Sequence, residues 1–148
     1  MEKKIVEVKI KLENGCENFC PKKAHPDDAG YDLYSRIDAV LEPLSGMAIP
    51  VGFAMELPAG YEAQIRPRSG LSAKHHITVT NSPGTVDANF RGEIKVILYN
   101  LGKEPFIIQR GDRIAQMVIC KLPEIDLVET TELSQTDRNT NGFGSTGK

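Results

Sequence analysis

The chain lacks several features that would each indicate a particular class of protein. Its three cysteines are an odd number, which argues against a framework of disulfide bonds and agrees with a reducing compartment. No apolar run reaches the length of about eighteen residues that a transmembrane helix needs, and no secretion signal is visible at the N-terminus. We therefore expect a soluble intracellular protein, cytoplasmic, or nuclear if the source is eukaryotic or viral.

A strong excess of charge of either sign is also missing. The formal net charge is -2 and the sequence pI is about 5.9. This balance removes the long-range attraction that a general nucleic-acid binder uses, so any anionic partner has to be held locally. We expect neither a direct nucleic-acid partner nor a membrane partner.

Clusters of metal ligands at a recognised spacing are absent as well. Cys16, Cys20 and His25 lie near one another in sequence, but they have no fourth ligand at the spacing of a zinc site. The adjacent pair His75 and His76 has no spacing that suggests metal binding or nucleophilic work. The sequence therefore predicts no zinc site.

The last eight residues, NGFGSTGK, contain part of the signature of a phosphate-binding loop. Gly142, Gly147 and Lys148 fit the start of G-x-x-x-x-G-K-[ST], but no Ser or Thr follows Lys148. Such a loop also needs a buried strand before it and a helix after it, and the preceding LVETTELSQTDRNT is polar. Two interpretations stay open, a disordered terminus and a mobile segment that folds over a ligand.

Alternation of apolar and polar residues indicates that most of the chain forms strands. In IVEVKIKLE, residues 5–13, the side chains of Val6, Val8, Ile10 and Leu12 share one side. The alternation recurs in residues 61–65, 76–80 and 93–98, and residues 113–119 are compatible with a strand. Frequent Pro and Gly between these segments favours an all-β single domain, a barrel or sandwich, with one short helix at residues 70–75. We assign residues 1–123 to this domain and residues 124–148 to a flexible C-terminal arm.

Four internal stretches combine turn residues with functional groups. They are AGYDLYS (29–35), PRSGLSAK (67–74), NSPGTVDANFRG (81–92) and GDRIAQM (111–117). The guanidinium of Arg68 can bind phosphate oxygens as a fork, Ser69 adds a hydroxyl, and Gly70 allows close approach of the backbone. These groups favour a site for a phosphorylated ligand.

Asp87 follows a Pro-Gly turn in a frame that resembles a hairpin with a carboxylate at its tip. Two roles are open for it, a functional carboxylate and a polar residue that ends a strand. Phe90 in the same loop is either a core residue or a platform for a ligand.

Taken in order with RNTNGFGSTG, these stretches resemble the five motifs of the homotrimeric dUTPases, from Ala29 to Gly147. The resemblance implies a jelly-roll-like β-barrel or sandwich, and hydrolysis of dUTP to dUMP and pyrophosphate by attack of water on the α-phosphate. Such an enzyme limits uracil incorporation into DNA and supplies dUMP for thymidylate synthesis. It also implies a homotrimer in which the arm of one subunit reaches a site on another.

The resemblance assigns roles to individual residues. Asp87 would activate the water, and Phe143 would cover the uracil ring. Asp32 would act on Mg2+ indirectly, through water, or would hold Arg68 in place; the metal would be bound through phosphate oxygens. Phe90 stands where the family more often has Tyr. The residues expected to contact the substrate are Arg68, Ser69, Gly70, Asn81, Gly84, Thr85, Val86, Phe90, Lys95, Gln116, Arg138, Phe143, Gly144 and Ser145.

Two other functions use the same fold. A dCTP deaminase-like enzyme would need different catalytic groups near the base, whereas Asp87 and the arm with Phe143 favour phosphate hydrolysis. A non-catalytic protein that binds nucleotide and regulates a partner is the second alternative. The presence of Asp87, Arg68, Gln116 and Arg138 argues against a loss of activity.

Overall fold

A computed structural model describes residues 4–147. Lys148, the last residue of the partial phosphate-loop signature, lies outside the described residues. Within residues 4–147 the chain forms eleven strands and one helix. In chain order these are β1 (Lys9–Leu12), β2 (Tyr31–Tyr34), β3 (Ala39–Leu41), β4 (Gly46–Pro50), β5 (Phe53–Glu56), β6 (Tyr61–Arg66), α1 (Ser69–His75), β7 (Ile77–Val79), β8 (Gly84–Val86), β9 (Lys95–Asn100), β10 (Phe106–Ile108) and β11 (Arg113–Lys121).

The strands form four antiparallel sheets. The largest has the order β2-β11-β6-β8, and the second has the order β4-β9-β7. Two further pairs, β1-β5 and β10-β3, complete the set. The sheets are open rather than closed into a barrel, and the expectation of an all-β domain with one short helix is confirmed. Residues 4–147 contain no helix with the length and apolar character that crossing a membrane requires.

A continuous apolar core joins the sheets. Leu33, Phe53, Ile65 and Leu98 come from four different strands and are at most 3% exposed. In β6 and β9 buried side chains alternate with more exposed ones, as the period-two pattern predicts. Burial of each such side chain contributes up to roughly 1.5–3 kcal/mol. The core therefore holds the strands in place: Asp32 and Gln116 lie within β2 and β11, and Arg68 and Asp87 follow the ends of β6 and β8.

Most of the predicted elements are present, with shifted boundaries. The alternation at residues 5–13 gives a regular strand only at Lys9–Leu12, and the predicted strand at residues 76–80 covers Ile77–Val79. The reason for the second shift is His76, which adopts the left-handed conformation at φ 57° and ends the helix. The helix predicted at residues 70–75 spans Ser69–His75.

The prediction of a hairpin at residues 81–92 is wrong. The strand β8 pairs with β6, whereas β9 pairs with β4 and β7, so this segment leads from one sheet to another. Gly84 permits the pairing with β6, because a Cβ at this position would lie 3.2 Å from the Cβ of Ile65. Asp87 therefore follows the end of a sheet strand instead of standing at a hairpin tip.

Candidate active site

One small pocket collects residues from three of the predicted motifs. It has a volume of about 200 Å³, and we call it the Arg68 pocket. It lies where β2 pairs with β11 and where the chain passes from β6 into α1. Its lining residues are Ala24, Asp28, Asp32, Arg68, Ser69, Gly70, Arg113 and Gln116. The structure thus brings Arg68, Ser69, Gly70 and Gln116 together around Asp32.

The Asp32 carboxylate lies between two guanidinium groups. Its Oδ1 is 3.6 Å from Arg68 Nε, and its Oδ2 is 3.6 Å from Arg113 Nη1. The Asp32 side chain is 17% exposed, so it is less hydrated than either arginine. Arg68 Nη1 also donates to the carbonyl oxygen of Arg113 at 3.4 Å. These contacts hold both arginines in fixed orientations beside the pocket and partly neutralise their charge.

The amide of Gln116 is fixed beside the Arg68 loop. Its Nε2 donates to the carbonyl oxygen of Pro67 at 2.9 Å, and Gln116 pairs with Asp32 in the β2-β11 register. Gly30 makes room for this side chain, because a Cβ there would lie 2.3 Å from Gln116 Oε1. The side chain therefore enters the pocket in one orientation.

Tyr34 reports the charges of the Arg68 pocket. Burial raises the pKa of its phenol above the ordinary value of 10.0, and the negative charge of Asp32 raises it further. The charges of Arg113 and Arg68 act in the opposite direction, to lower this pKa. Tyr34 is therefore sensitive to the same groups that would receive an anion.

A larger pocket surrounds Asp87. It has a volume of about 600 Å³ and is called the Asp87 pocket here. Asp87 is exposed, and among the described residues its carboxylate makes no hydrogen bond or ion pair. Its oxygens are therefore free to accept a hydrogen bond from water. The lining residues are Thr85, Val86, Asp87, Phe90, Gly92, Glu93, Ile94 and Lys95.

Phe90 lies in the wall of this pocket and not in the core. It is 46% exposed, and its ring packs over Gly92, where a Cβ would lie 2.7 Å from Phe90 Cζ. Of the two roles left open by the sequence, this placement excludes the core position. The exposed ring face can cover an apolar part of a ligand.

Three charged residues in the pockets, Asp28, Glu93 and Arg113, were not identified from the sequence. Arg113 is part of the GDRIAQM stretch but was not singled out there. Glu93 directly follows the NSPGTVDANFRG stretch; its Oε1 lies 3.2 Å from Arg36 Nη2, and its Oε2 accepts from the Gly52 amide at 3.1 Å. The charge of Arg113 inside a quoted motif was a usable signal. For Glu93 the partners are distant in sequence, and no local signal exists.

The remaining candidates lie apart from both pockets. Asn81 is exposed beside Gly84, with Nδ2 3.4 Å from the position of a Cβ on that glycine. In the arm, Arg138 Nε donates to the nearby carbonyl of Asn141 at 2.8 Å, and Phe143 is fully exposed. Gly144 and Ser145 are exposed as well. No described arm residue lines either pocket, so one chain does not assemble the whole predicted site.

The donor atoms suit a metal that arrives with its own oxygen ligands. Within residues 4–147 no group of three His, Cys, Asp or Glu side chains could hold a metal ion. Mg2+ usually keeps several waters and binds through one or two carboxylates together with phosphates of the substrate. The carboxylates of Asp28 and Asp32 in the Arg68 pocket fit that kind of outer partner.

Comparisons with known proteins agree with this geometry. Residues 17–147 match the dUTPase family model. The chain is 51% identical to the deoxyuridine 5'-triphosphate nucleotidohydrolase of Rickettsia felis, over 97% of this chain and 98% of that protein. The Staphylococcus bacteriophage 80alpha dUTPase, solved with dUpNHpp, superposes with a TM-score of 0.83 at 30% identity, over 96% of this chain and 99% of that one.

A second similar structure is described with a bound metal ion. The dUTPase from phage phi11 of S. aureus, described with a structural Mg(II) ion, has a TM-score of 0.76 at 27% identity. The match covers 85% of this chain and 97% of that one. The neighbours confirm the jelly-roll expectation, since dUTPases have that fold.

Proposed function

The chain belongs to the dUTPase family and hydrolyses dUTP to dUMP, and we propose that Asp87 is the general base of this reaction. A water molecule attacks the α-phosphorus while Asp87 takes its proton. The new O–P bond forms as the bond from the α-phosphorus to the bridging oxygen breaks, and pyrophosphate leaves with the electron pair. The observation that supports this role is the exposed, unpaired carboxylate in the 600 Å³ pocket. A positioned general base contributes ~100- to 10,000-fold.

The Arg68 pocket supplies the groups for the triphosphate. Arg68 is oriented by Asp32 and can donate in a fork to phosphate oxygens, and the amide of Gln116 is held nearby. Gly70 has no protein atom within 4 Å of a potential Cβ, which leaves space for a phosphate close to the backbone. Ser69 adds a hydroxyl donor. These fixed donors place the reacting phosphorus and neutralise charge that develops on the leaving group.

The Asp87 pocket receives the nucleoside. We assign the contacts with uracil to Asn81 and to the backbone of residues 84–86, where Gly84 allows close approach. Phe90 packs against the deoxyribose with its ring face. Lys95, at the start of β9, lines the same pocket and lies beside the nucleotide. We propose that the backbone of residues 84–86 lies close enough to the bound nucleoside to leave no room for the methyl group of thymine or the 2'-hydroxyl of ribose.

We assign Mg2+ to the phosphates of the substrate, with Asp32 as an indirect partner through water. When bound, the metal supplies positive charge that balances the triphosphate and withdraws electrons from its oxygens. Asp32 keeps its contacts with Arg68 and Arg113 and accepts hydrogen bonds from water on its remaining lone pairs.

The division of the groups supports a homotrimer with exchanged arms. The two pockets share no lining residue, and the arm reaches neither of them in one chain. The arm also exposes Ile125, Leu127 and Leu133 at 71%, 92% and 87%, which another copy would cover. We propose that residues 124–148 leave the domain of residues 1–123 and carry Arg138, Phe143, Gly144 and Ser145 to a site shared between copies.

A pyrophosphate-release assay tests the reaction. We expect purified protein with Mg2+ to release pyrophosphate from dUTP and to be much slower with dCTP, dTTP and UTP. Release of ammonia from dCTP would instead support the deaminase alternative, which the family match does not favour. Binding of dUTP without turnover would support a non-catalytic regulator.

Complementation tests the shared site. One chain carries Asp87→Asn with an intact arm, and the other keeps Asp87 but lacks residues 138–148. Each is expected to be nearly inactive alone, whereas co-expressed chains should recover part of the activity because some mixed sites are complete. Absence of recovery in mixed trimers would contradict arm exchange. A light-scattering measurement of the mass of the wild type tests the trimer itself.

We also propose a cytoplasmic location, which the three free cysteines support. In such a compartment the enzyme would limit uracil incorporation into DNA and supply dUMP for thymidylate synthesis.

A further inference from the structure

We infer that Arg91 positions Asp87 by fixing the turn that connects Asp87 to Phe90. This inference rests on the assignment of Asp87 as the general base. Arg91 acts through the backbone, so it is a positioning residue and not a catalytic one.

The guanidinium of Arg91 binds two carbonyl groups of this turn. Its Nη1 donates to the carbonyl oxygen of Ala88 at 2.6 Å and to that of Phe90 at 3.3 Å. The turn itself is closed by the Phe90 amide, which donates to the carbonyl oxygen of Asp87 at 3.1 Å. One nitrogen atom therefore holds two of the three carbonyls from Ala88 to Phe90, and these two peptide groups lose much of their freedom to rotate.

An ion pair holds Arg91 against a neighbouring sheet. Arg91 Nε lies 3.5 Å from Glu56 Oε1, and Glu56 Oε2 lies 3.7 Å from Lys9 Nζ. Glu56 is the last residue of β5 and stands opposite Lys9 in the β1-β5 register. The Arg91 and Glu56 side chains are 51% and 48% exposed, so the pair contributes little to stability. Its consequence is geometric, because it directs the guanidinium toward the turn.

Arg91 acts from outside the Asp87 pocket. It lines a separate groove of about 330 Å³ beside β1 and β5, and it is not among the residues that line the Asp87 pocket. On the pocket side, Phe90 packs over Gly92. The turn is thus held by Arg91 on one side and by Phe90 on the other, and the Asp87 side chain extends from a restrained backbone. A displacement of about 1 Å of a reacting group can cost about 100-fold in rate.

Steady-state kinetics of four variants test this role. We expect Arg91→Gln to lower kcat about 10- to 100-fold, with the Kd for the non-hydrolysable dUpNHpp changed less than about threefold. Arg91→Lys should lie between Arg91→Gln and wild type, because an ammonium can still donate to the carbonyls but lacks the separate Nε that faces Glu56. Glu56→Gln should lower kcat about threefold. Lys11→Ala is the matched control, because it removes a positive charge from the same groove, and its kcat should equal that of the wild type.

A double variant separates positioning from general destabilisation. If Arg91 acts only through Asp87, Asp87→Asn with Arg91→Gln should be no slower than Asp87→Asn alone. Multiplied losses in the double variant, or a change in KM with unchanged kcat in Arg91→Gln, would refute the inference. If Arg91→Gln does not fold, Arg91→Lys and Glu56→Gln carry the same comparison. Wild-type turnover of Asp87→Asn would refute the base assignment itself, whereas an inactive Asp87→Asn beside an unaffected Arg91→Gln would refute the positioning role alone.

Discussion

The Arg68 pocket and the Asp87 pocket differ in how they hold the carboxylates of Asp32 and Asp87. In the first, Asp32 has two arginine partners at 3.6 Å, and Gln116 is hydrogen-bonded to Pro67. In the second, Asp87 has no side-chain partner among the described residues, and only the backbone of its turn is restrained. The first pocket is about 200 Å³ in volume and the second about 600 Å³.

The difference follows from the task of each group. A guanidinium that binds phosphates has to be oriented before the anion arrives, and an internal carboxylate orients it at little loss of donors, since Arg has five N–H groups. A base has to keep a lone pair for a proton, so a strong side-chain partner would oppose its work. We therefore expect loss of the Asp87 carboxylate to act mainly on kcat, and loss of the Gln116 amide, a neutral donor held in place before binding, to act mainly on affinity.

The largest effect is expected for Asp87→Asn. The amide is nearly the same size but cannot take a proton from water, so kcat should fall ~100- to 10,000-fold. Calorimetric binding of dUpNHpp should stay within about threefold of wild type, because no binding contact of Asp87 is required. Asp27→Asn is a matched exposed control and should keep full activity. Turnover of Asp87→Asn equal to that of wild type would remove the contrast between the pockets.

Truncation before Arg138 should have the next largest effect. Each charge-assisted hydrogen bond from Arg138 is worth about 1.5–3 kcal/mol, so loss of one such bond lowers kcat/KM about 10- to 150-fold. The free energy of unfolding should not change, since residues 138–147 are exposed and bonded only to near neighbours. Urea titration measures the free energy of unfolding, and steady-state kinetics on the same preparation measures kcat/KM. Unchanged hydrolysis would show that the arm takes no part.

Gly30→Ala should have an intermediate effect, which is a loss of ligand affinity in the Arg68 pocket. The added methyl would meet Gln116 Oε1 at 2.3 Å and push the amide out of place. The loss of about one hydrogen bond should weaken binding of dUpNHpp about tenfold and leave kcat of bound dUTP nearly unchanged. Gln116→Ala should give the same loss, and the double variant should be no worse than either. Additive losses would show that Gly30 acts by another route.

The sequence predicted strands well where burial alternates over several residues. Tyr61–Arg66 and Lys95–Asn100 bury every second side chain, and the period is visible without the structure. Phe53–Glu56 has three buried residues in succession, and Phe106–Ile108 is too short to show a period, so neither was predicted. The hairpin around Asp87 was predicted wrongly for a related reason. The pairing of β8 with β6 joins segments that are distant in sequence, and no local pattern indicates it.

The candidate site was predicted as a set of motifs but not as two pockets. Arg68 and Asp87 were identifiable because each stands in a stretch of turn residues with functional groups, whereas Gln116 was assigned through the resemblance to the dUTPases. The partnership of Arg36 with Glu93 joins distant parts of the chain, and no local pattern encodes it. Likewise, the two hydrogen bonds from Arg91 Nη1 to Ala88 and Phe90 depend on the shape of the turn.

The smallest effect is expected on the pKa of Tyr34, which responds to the charges of Asp32, Arg68 and Arg113 in the Arg68 pocket. Asp32→Asn should lower the pKa of the Tyr34 phenol toward its ordinary value of 10.0, although burial still raises it. Near-ultraviolet absorbance titration, with Tyr34→Phe subtracted to remove the other tyrosines, measures the change. Asp87→Asn is the matched control and should leave the pKa of Tyr34 unchanged. An equal shift in both variants would contradict the separation of the two pockets.

The same phenol makes stability depend on alkaline pH. Because the folded pKa of Tyr34 is raised above its unfolded value, the stability it contributes is fully present below 10.0 and is lost as pH rises through the folded pKa. The free energy of unfolding of the wild type should therefore fall more steeply in that window than that of Tyr34→Phe. Denaturant titrations at a series of alkaline pH values check the slope. Equal slopes would show that Tyr34 does not experience the burial and the Asp32 charge that raise its pKa.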